Sequence, residues 1–481
     1  MFLGVDIGTS SSKGVLVAPD GAVVATAVRE HRTATPHPGW FEHDALAVWW
    51  ADFAAIVAEL ARPDLASSIA AVGVSGIGPC LLPCTDDGTP LRPAILYGVD
   101  TRATAEIAAQ TERFGAEAIL DRCGSPLTSQ AVGPKLEWLR ANEPEVWART
   151  RRMFMAHSWL VHRLTGAYVL DHHAASQCTP MYDTRAREWI TDWEIAPGLE
   201  LPSLLWSGEV AGTVTASAAA ATGLPAGIPV VAGTIDAWAE ALSAGVRSPG
   251  DVMLMYGTTM FLVEVLAERA VSPRLWGTVG VSPGTYNLAA GMATSGAITG
   301  WLRDLTGASF EALTAAAAQV GRGAEGLLML PYFAGERTPL FDPKARGTIV
   351  GLTLRHGPGH LYRAALEATA FGVRHNLSAM RAAGGAGSRL VAVGGGTRGG
   401  LWTKIVSDVL QQEQFLPAQT VGAAYGDAML AAGGVGSPVD GWNPVTSVVS
   451  PDPAAAEEYG RLYELYLDLY RSTAHIAHAL D

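Results

Sequence analysis

Five short segments of this 481-residue chain carry residue types that could do chemistry. The first is Asp6-Ile7-Gly8-Thr9-Ser10-Ser11-Ser12-Lys13. A turn rich in Gly, Ser and Thr presents backbone N–H groups and hydroxyls in a concave loop, which suits phosphate oxygens. Asp6, at the end of an apolar run, offers a hard oxygen that Mg²⁺ would take directly or through water. An ordinary hairpin with a turn-forming Asp fits the same letters. The second segment, Gly257-Thr258-Thr259, repeats the Gly-Thr turn between two apolar runs. In the third, Val230-Val231-Ala232-Gly233-Thr234-Ile235-Asp236-Ala237, a strand runs through a turn to an acid that opens a helix. Asp236 is then either a simple helix cap or a carboxylate that orients a hydroxyl and takes its proton. A helix N-terminus predicts that it stays ionised and is a weak base, which phosphoryl transfer tolerates.

The fourth segment is Leu390-Val391-Ala392-Val393-Gly394-Gly395-Gly396-Thr397-Arg398-Gly399-Gly400. A strand enters a turn whose bare backbone lets a ligand lie close. Gly394, Gly396 and Gly399 also fit G-x-G-x-x-G, so a nicotinamide dinucleotide is an alternative ligand. That reading wants an acid at the end of the next strand, whereas Glu413 precedes the short run Phe415-Leu416. The fifth segment, Gly335-Glu336-Arg337-Thr338-Pro339, places a charged pair in an apolar loop. It reads first as a structural ion pair and second as a ligand contact.

The elements that must position these segments follow from hydrophobic period and turn residues. Apolar runs at Phe2 to Ile7, Gly14 to Val17 and Ala22 to Val28 predict a three-stranded meander. Leu46, Trp49, Trp50, Phe53, Ile56, Val57 and Leu60 recur at helical spacing behind Asp44, a cap residue. A buried strand over Ile69 to Val74 completes β-β-β-α-β. Strand, Gly-Thr turn, strand then recurs near residue 257, which suggests duplication. The Gly245, Pro249 and Gly250 cluster places a boundary there, giving domains 1–244 and 245–481. Later segments alternate strand (Leu327 to Tyr332, Leu390 to Val393) with helix (Gly359 to Ala382, Leu401 to Gln411, Ala423 to Ala432, Pro453 to Ala479). Alternation of this kind predicts an α/β protein.

Composition bounds the partners. There are 33 Lys and Arg against 46 Asp and Glu, a net charge of −13, with 49% hydrophobic and 16% charged residues. The chain reads as a well-buried globular protein, and the acidic balance argues against a broad nucleic-acid-binding face. A small nucleotide needs only a local site. Cys80, Cys84, Cys123 and Cys178 form no C-x-x-C pair and read as reduced thiols. The first residues lack a basic segment, and the long uncharged stretch Val210 to Ile235 is broken by glycines and prolines. The expectation is a cytoplasmic protein with no membrane span.

Taken together, the motifs resemble the FGGY family of carbohydrate kinases, its xylulokinase branch above all. The resemblance spans the chain. It rests on Gly4-Val5-Asp6-Ile7-Gly8-Thr9, His37-Pro38-Gly39-Trp40, Leu91-Arg92-Pro93, Pro134-Lys135-Leu136 and Leu164-Thr165-Gly166. Gly257-Thr258-Thr259, Gly335-Glu336-Arg337-Thr338-Pro339, His356-Gly357-Pro358 and Gly394-Gly395-Gly396 follow in the same order. It implies two actin-like (RNase H-like) α/β domains flanking a central cleft, with sugar mainly on the first and ATP mainly on the second. Asp236 would be the catalytic base and Asp6 the carboxylate serving Mg²⁺. Thr9, Ser10 and Lys13 fall in the first phosphate loop and Gly257, Thr258 and Thr259 in the second. Gly395, Gly396 and Thr397 lie beside the adenosine.

The sugar site departs from the xylulokinase pattern. Gly78-Pro79 stands where those enzymes look to have Met-His, so no imidazole is available. Tyr97-Gly98-Val99-Asp100, followed by Arg102, replaces Trp-Asn-Asp, and Ala237 replaces an amide. Trp40, Gly78, Tyr97, Asp100, Arg102 and Asp236 are the candidates for substrate contact. Asp100 and Arg102 are equally readable as a structural pair. His172 and His173 are expected on an exposed loop, as solvated side chains or near the cleft. The expected reaction is ATP-dependent phosphorylation of a primary hydroxyl of a small sugar, a ketose (a pentulose such as xylulose), or of a polyol. The alternatives are a non-catalytic sugar sensor on a kinase fold and an NAD-dependent oxidoreductase. Expected partners are the small molecule and ATP, with homodimerisation left open.

Overall fold

The computed structural model describes residues 1–62 and 64–480. They form two compact units, one of Met1–Arg247, Leu266–Asn287 and Val421–Asn443, the other of Ser248–Val265, Leu288–Thr420 and Pro444–Asp481. The chain therefore crosses between units five times rather than once.

The sheet of the first unit has strands in the order Val210–Thr213, Pro229–Val231, Ala71–Gly76, Phe2–Ile7, Ser11–Val17 and Val23–Glu30, with Thr234–Ile235 also paired to Ala71–Gly76. Ala71–Gly76 is buried throughout and Phe2–Ile7 nearly so, as expected for strands covered on both faces. Helix Ala51–Leu60 covers one face with Phe53, Ile56, Val57 and Leu60. It is entered through a π-helical turn, Ala45–Trp50, whose cap Asp44 accepts from Leu46 N and Ala47 N. Helix Ala423–Gly434 packs with Phe2, Val15, Val17 and Ala71 in a second apolar cluster.

The seat of that helix is dictated by glycine. A Cβ on Gly4 would lie 1.9 Å from Ala424 O, and one on Gly73 2.1 Å from Asp427 O. The parallel register sets Gly4 beside Gly73, so two bare strand positions together admit the helix backbone.

The second unit repeats the strand order. Its sheet contains Met260–Leu266, Asp251–Tyr256, Arg389–Val393, Gln414–Pro417 and Val445–Val449 in that sequence. In both units a strand has an antiparallel hairpin partner on one side and a parallel partner on the other. A second parallel strand and then an antiparallel edge strand follow. The two Gly-Thr turns join the equivalent hairpins.

Candidate active site

Three strand ends gather the chemistry of the first unit. Parallel pairing puts Asp6 beside Ser75, and Thr234 pairs with Ser75 from the other side. Two residues on is Asp236, the first residue of helix Asp236–Ser243. The carboxyl ends of parallel strands are where α/β sheets hold ligands. Asp6 Oδ1 accepts from Ser75 Oγ at 3.0 Å, and Ser75 Oγ lies 2.7 Å from Asp427 Oδ2. One hydroxyl proton cannot serve two ionised carboxylates, so one of this pair carries a proton. Asp427 is fully buried, and burial, with the charge of Asp6 behind it, pushes its carboxyl well above the usual range. Of the two, it is the one whose surroundings favour the proton more strongly.

The other acids respond to the same crowding. Burial raises Asp6 to about 6, opposed by Ser75 and the charges of Lys13 and His31. Glu240, one turn after Asp236, is raised to about 7 by burial and then by Asp6. Asp236 is pushed well above the carboxylate range, first by burial and then by Asp6, although its Oδ1 accepts Ala237 N at 2.7 Å. The pull of the helix N-terminus toward the ionised form is thus opposed by burial and by Asp6. Desolvation and a neighbouring like charge outweigh the helix end.

These residues suit a divalent cation. Asp427 Oδ1 is buried without a hydrogen-bond partner, and four acids crowd one place with Lys13 beside them. No group of three or more metal-ligating side chains converges among the described residues. Mg²⁺ needs none, since it keeps waters and phosphate oxygens around one or two carboxylates.

The loop after Asp6 is held by its surroundings. Gly8 N donates to Ser11 O, Thr33 Oγ1 to Thr9 O, and His31 N to Ser10 O. Lys13 Nζ donates to Val421 O at 3.0 Å. Thr9 Oγ1 is 3.1 Å from Tyr97 Oη, which ties the phosphate loop to a proposed sugar loop. Gly78 packs on Ile235, where a Cβ would come within 2.7 Å.

Asp100 and Arg102 go elsewhere. Both side chains are wholly buried, and Arg102 Nη2 donates to Asp100 Oδ2 at 2.7 Å while Nη1 donates to Glu42 at 2.8 Å. Asp100 also accepts Phe41 N. The guanidinium lies 4.2 Å from the ring of half-buried Trp40. The pair thus braces the Trp40 loop. The exposed-loop expectation for His172 and His173 is corrected. They begin helix His172–Ser176, and His173 is fully buried, its Nδ1 donating to Val279 O at 2.8 Å. Burial lowers it to about 4, so it is neutral. His172 bonds Tyr182 Oη.

The second unit contains a cavity of about 990 Å³ lined by Tyr256, Gly257, Thr258, Gly395, Gly396 and Trp402, among others. Ser295 N and Ala297 N donate to Thr258 O, and Gly296 N to Gly257 O, so a neighbouring turn braces this loop. Of the predicted nucleotide residues in this unit, Thr259 and Thr397 do not line the cavity; Thr397 Oγ1 bonds Gly394 O instead. Glu336 is buried with Oε1 accepting Ala293 N and Arg337 N, and burial lifts it to about 8.

Sequence reasoning missed Ser75, Glu240 and Asp427. The signal for Asp427 was present as a lone acid inside the apolar helical stretch Ala423 to Ala432.

The model of the FGGY N-terminal domain matches residues 1–243 and that of the C-terminal domain residues 252–434. The chain belongs to the FGGY family of carbohydrate kinases. It is 31% identical to a xylulose kinase of Escherichia coli, over 90% of this chain and 89% of that one. A glycerol kinase of Alkalilimnicola ehrlichii is 32% identical, over 90% of each. The crystal structure of a xylulose kinase from Rhodospirillum rubrum superposes with a TM-score of 0.92 at 36% identity, covering 99% of both chains. The fold is accordingly the two-domain α/β fold of this family, and the chain is a sugar kinase resembling xylulose kinases. No helix among the described residues is long and apolar enough to cross a membrane.

Proposed function

We propose that this FGGY kinase transfers the γ-phosphoryl group of ATP to a primary hydroxyl of a small ketose, a pentulose such as xylulose, or of a polyol. The observation that carries the reading is Asp236, half-buried at a strand end beside Asp6 and raised in pKa by its surroundings. Asp236 orients the acceptor hydroxyl and takes its proton as the oxygen attacks phosphorus. Asp6 would hold Mg²⁺, which neutralises charge on the phosphates when bound. Lys13 and the N–H groups of the Gly8–Ser10 turn add positive field in the first unit. The cavity at Gly257, Gly395 and Gly396 is of a size for adenosine.

Two positions bear on the acceptor class. Gly78 and Ala237 offer no side-chain hydrogen bond, so two polar contacts to a sugar are missing. A site that fails to pair a hydroxyl discriminates weakly in its favour, whereas a paired site discriminates by orders of magnitude. The names of the related xylulose and glycerol kinases bracket the candidates. The test is ADP release from ATP and Mg²⁺ with a panel of pentuloses, hexuloses and polyols. One acceptor should stand out; if none exceeds the Asp236→Asn background, the reading is wrong.

A further inference from the structure

Asp171 ends strand Val169–Asp171 and caps helix His172–Ser176 by accepting Ala174 N at 3.3 Å. A cap needs one acceptor, and this carboxylate accepts far more. Its Oδ2 also takes Ser207 Oγ at 3.0 Å and Thr234 Oγ1 at 2.9 Å, while Oδ1 faces His157 Nε2 at 3.1 Å. All four side chains are buried. Four donors fill an ionised carboxylate, and His157 must carry its proton on Nε2. Burial, the largest influence, would raise Asp171; the hydrogen bonds from His157 and Thr234 are among the influences that hold it below its ordinary value.

The network closes on itself. Ser207 O accepts Gly233 N at 3.0 Å, and Gly233 precedes Thr234 in the chain. Asp171, Ser207, Gly233 and Thr234 therefore form a ring around the turn that delivers Asp236. Gly233 sits at φ +72°, where a Cβ would lie 1.9 Å from Val74 O, so the turn admits only glycine as it passes the strand. The cap of the following helix, Ile235, makes no side-chain bond of its own. Ala237 N holds the Asp236 carboxylate directly at 2.7 Å, and the ring holds the backbone turn from which that carboxylate projects.

We propose that Asp171 is a positioning residue for phosphoryl transfer: through Thr234 and Ser207 it fixes the turn that aims the Asp236 carboxylate. This rests on Asp236 being the base. A misplacement of about 1 Å costs on the order of 100-fold in rate, so small losses in the ring should be visible in kcat.

The test uses the full chain and an accepted sugar. Thr234→Val keeps the shape and removes one hydroxyl; it should lower kcat by roughly 10- to 100-fold with KM for ATP within about twofold. Thr234→Ser restores the hydroxyl and should restore kcat. Ser207→Ala should act in the same direction, and Asp171→Asn combined with Thr234→Val should be less than additive. Near-native urea midpoints for Thr234→Val and Thr234→Ser separate aim from folding. The proposal is overturned if Thr234→Val and Ser207→Ala lose stability yet keep wild-type kcat, or if Thr234→Ser is as slow as Thr234→Val. Wild-type kcat in Asp236→Asn would instead overturn the reading of the base, which the ring variants leave untouched.

Discussion

Replacing Gly73 by Ala should unseat helix Ala423–Gly434. The new Cβ would stand 2.1 Å from Asp427 O and 2.8 Å from Asp427 C, both backbone atoms with no rotamer to yield. Ordinary contact begins near 3.4 Å, so the helix must retreat by about 1.3 Å. The same helix carries Asp427, whose 2.7 Å contact with Ser75 would open to about 4 Å in a rigid shift. Overpacking of this kind costs about 1–3 kcal/mol, and a buried acid left without its partner about 1–3 kcal/mol more. The expected loss is about 2–6 kcal/mol, read as a lower urea midpoint by tryptophan fluorescence. Turnover should fall with it, because Ser75 then loses one of the groups that orients its bond to Asp6. Gly460→Ala is the control. Gly460 lies within helix Ala456–Ala479 with nothing within 4 Å of its Cβ position. There the same chemical change should stabilise by about 1 kcal/mol through helix propensity. If both variants raise the midpoint, the close approach of strand and helix is not what seats Asp427, and the packing argument fails.

Other perturbations reach different parts of the account. Arg102→Ala leaves Asp100 buried and unpaired and should cost about 3–5 kcal/mol in urea unfolding, with Arg102→Lys a poor rescue because the fork is lost; a neutral result would mean that the pair does not hold the Trp40 loop. Gly395 has open space where its Cβ would be, so Gly395→Val should fill part of the cavity proposed for adenosine, raising KM for ATP about tenfold or more at an unchanged urea midpoint and sugar KM. Burial lowers His43 and His173 to about 4. Their unfolded forms take up protons first, so each contributes stability that is complete above pH ~6.5 and is lost as pH falls toward 4, about 3 kcal/mol apiece. Glu336, raised to about 8, has the opposite sign: its native form keeps the proton, so stability is lost as pH rises from about 4.5 to 8, and Glu336→Gln should flatten that alkaline limb.

Much of this was legible in the letters. The meander, the helix behind Asp44 and the strand read over Ile69 to Val74, observed as Ala71–Gly76, follow from alternation, helical spacing and turn residues, with ends shifted by a residue or two. The Gly-Thr turn near 257 announced a duplicated strand order, because a repeated hairpin implies repeated neighbours. What the letters hid is long-range. Helix Ala423–Gly434 is late in the chain yet packs in the first unit, and no periodicity says which sheet an apolar helix will choose. Asp427 therefore looked like an isolated acid, although its partner Ser75 lies some 350 residues earlier. Local rules also misjudged Asp236. A helix start favours the ionised form, and burial, then the charge of Asp6, pushes the carboxyl the other way. His173 failed for a related reason: a histidine after an acid looks solvated until Val279 is found to cover it.

Single-turnover transfer from radiolabelled ATP to an accepted sugar, compared between the wild-type chain and Asp236→Asn with ADP affinity measured in parallel, tests the central claim most directly. The account predicts a fall of roughly 100- to 10,000-fold in the transfer rate with ADP affinity within about twofold. A transfer rate within about tenfold of wild type would contradict it, because the proton of the acceptor hydroxyl would then be leaving by a route that does not involve Asp236.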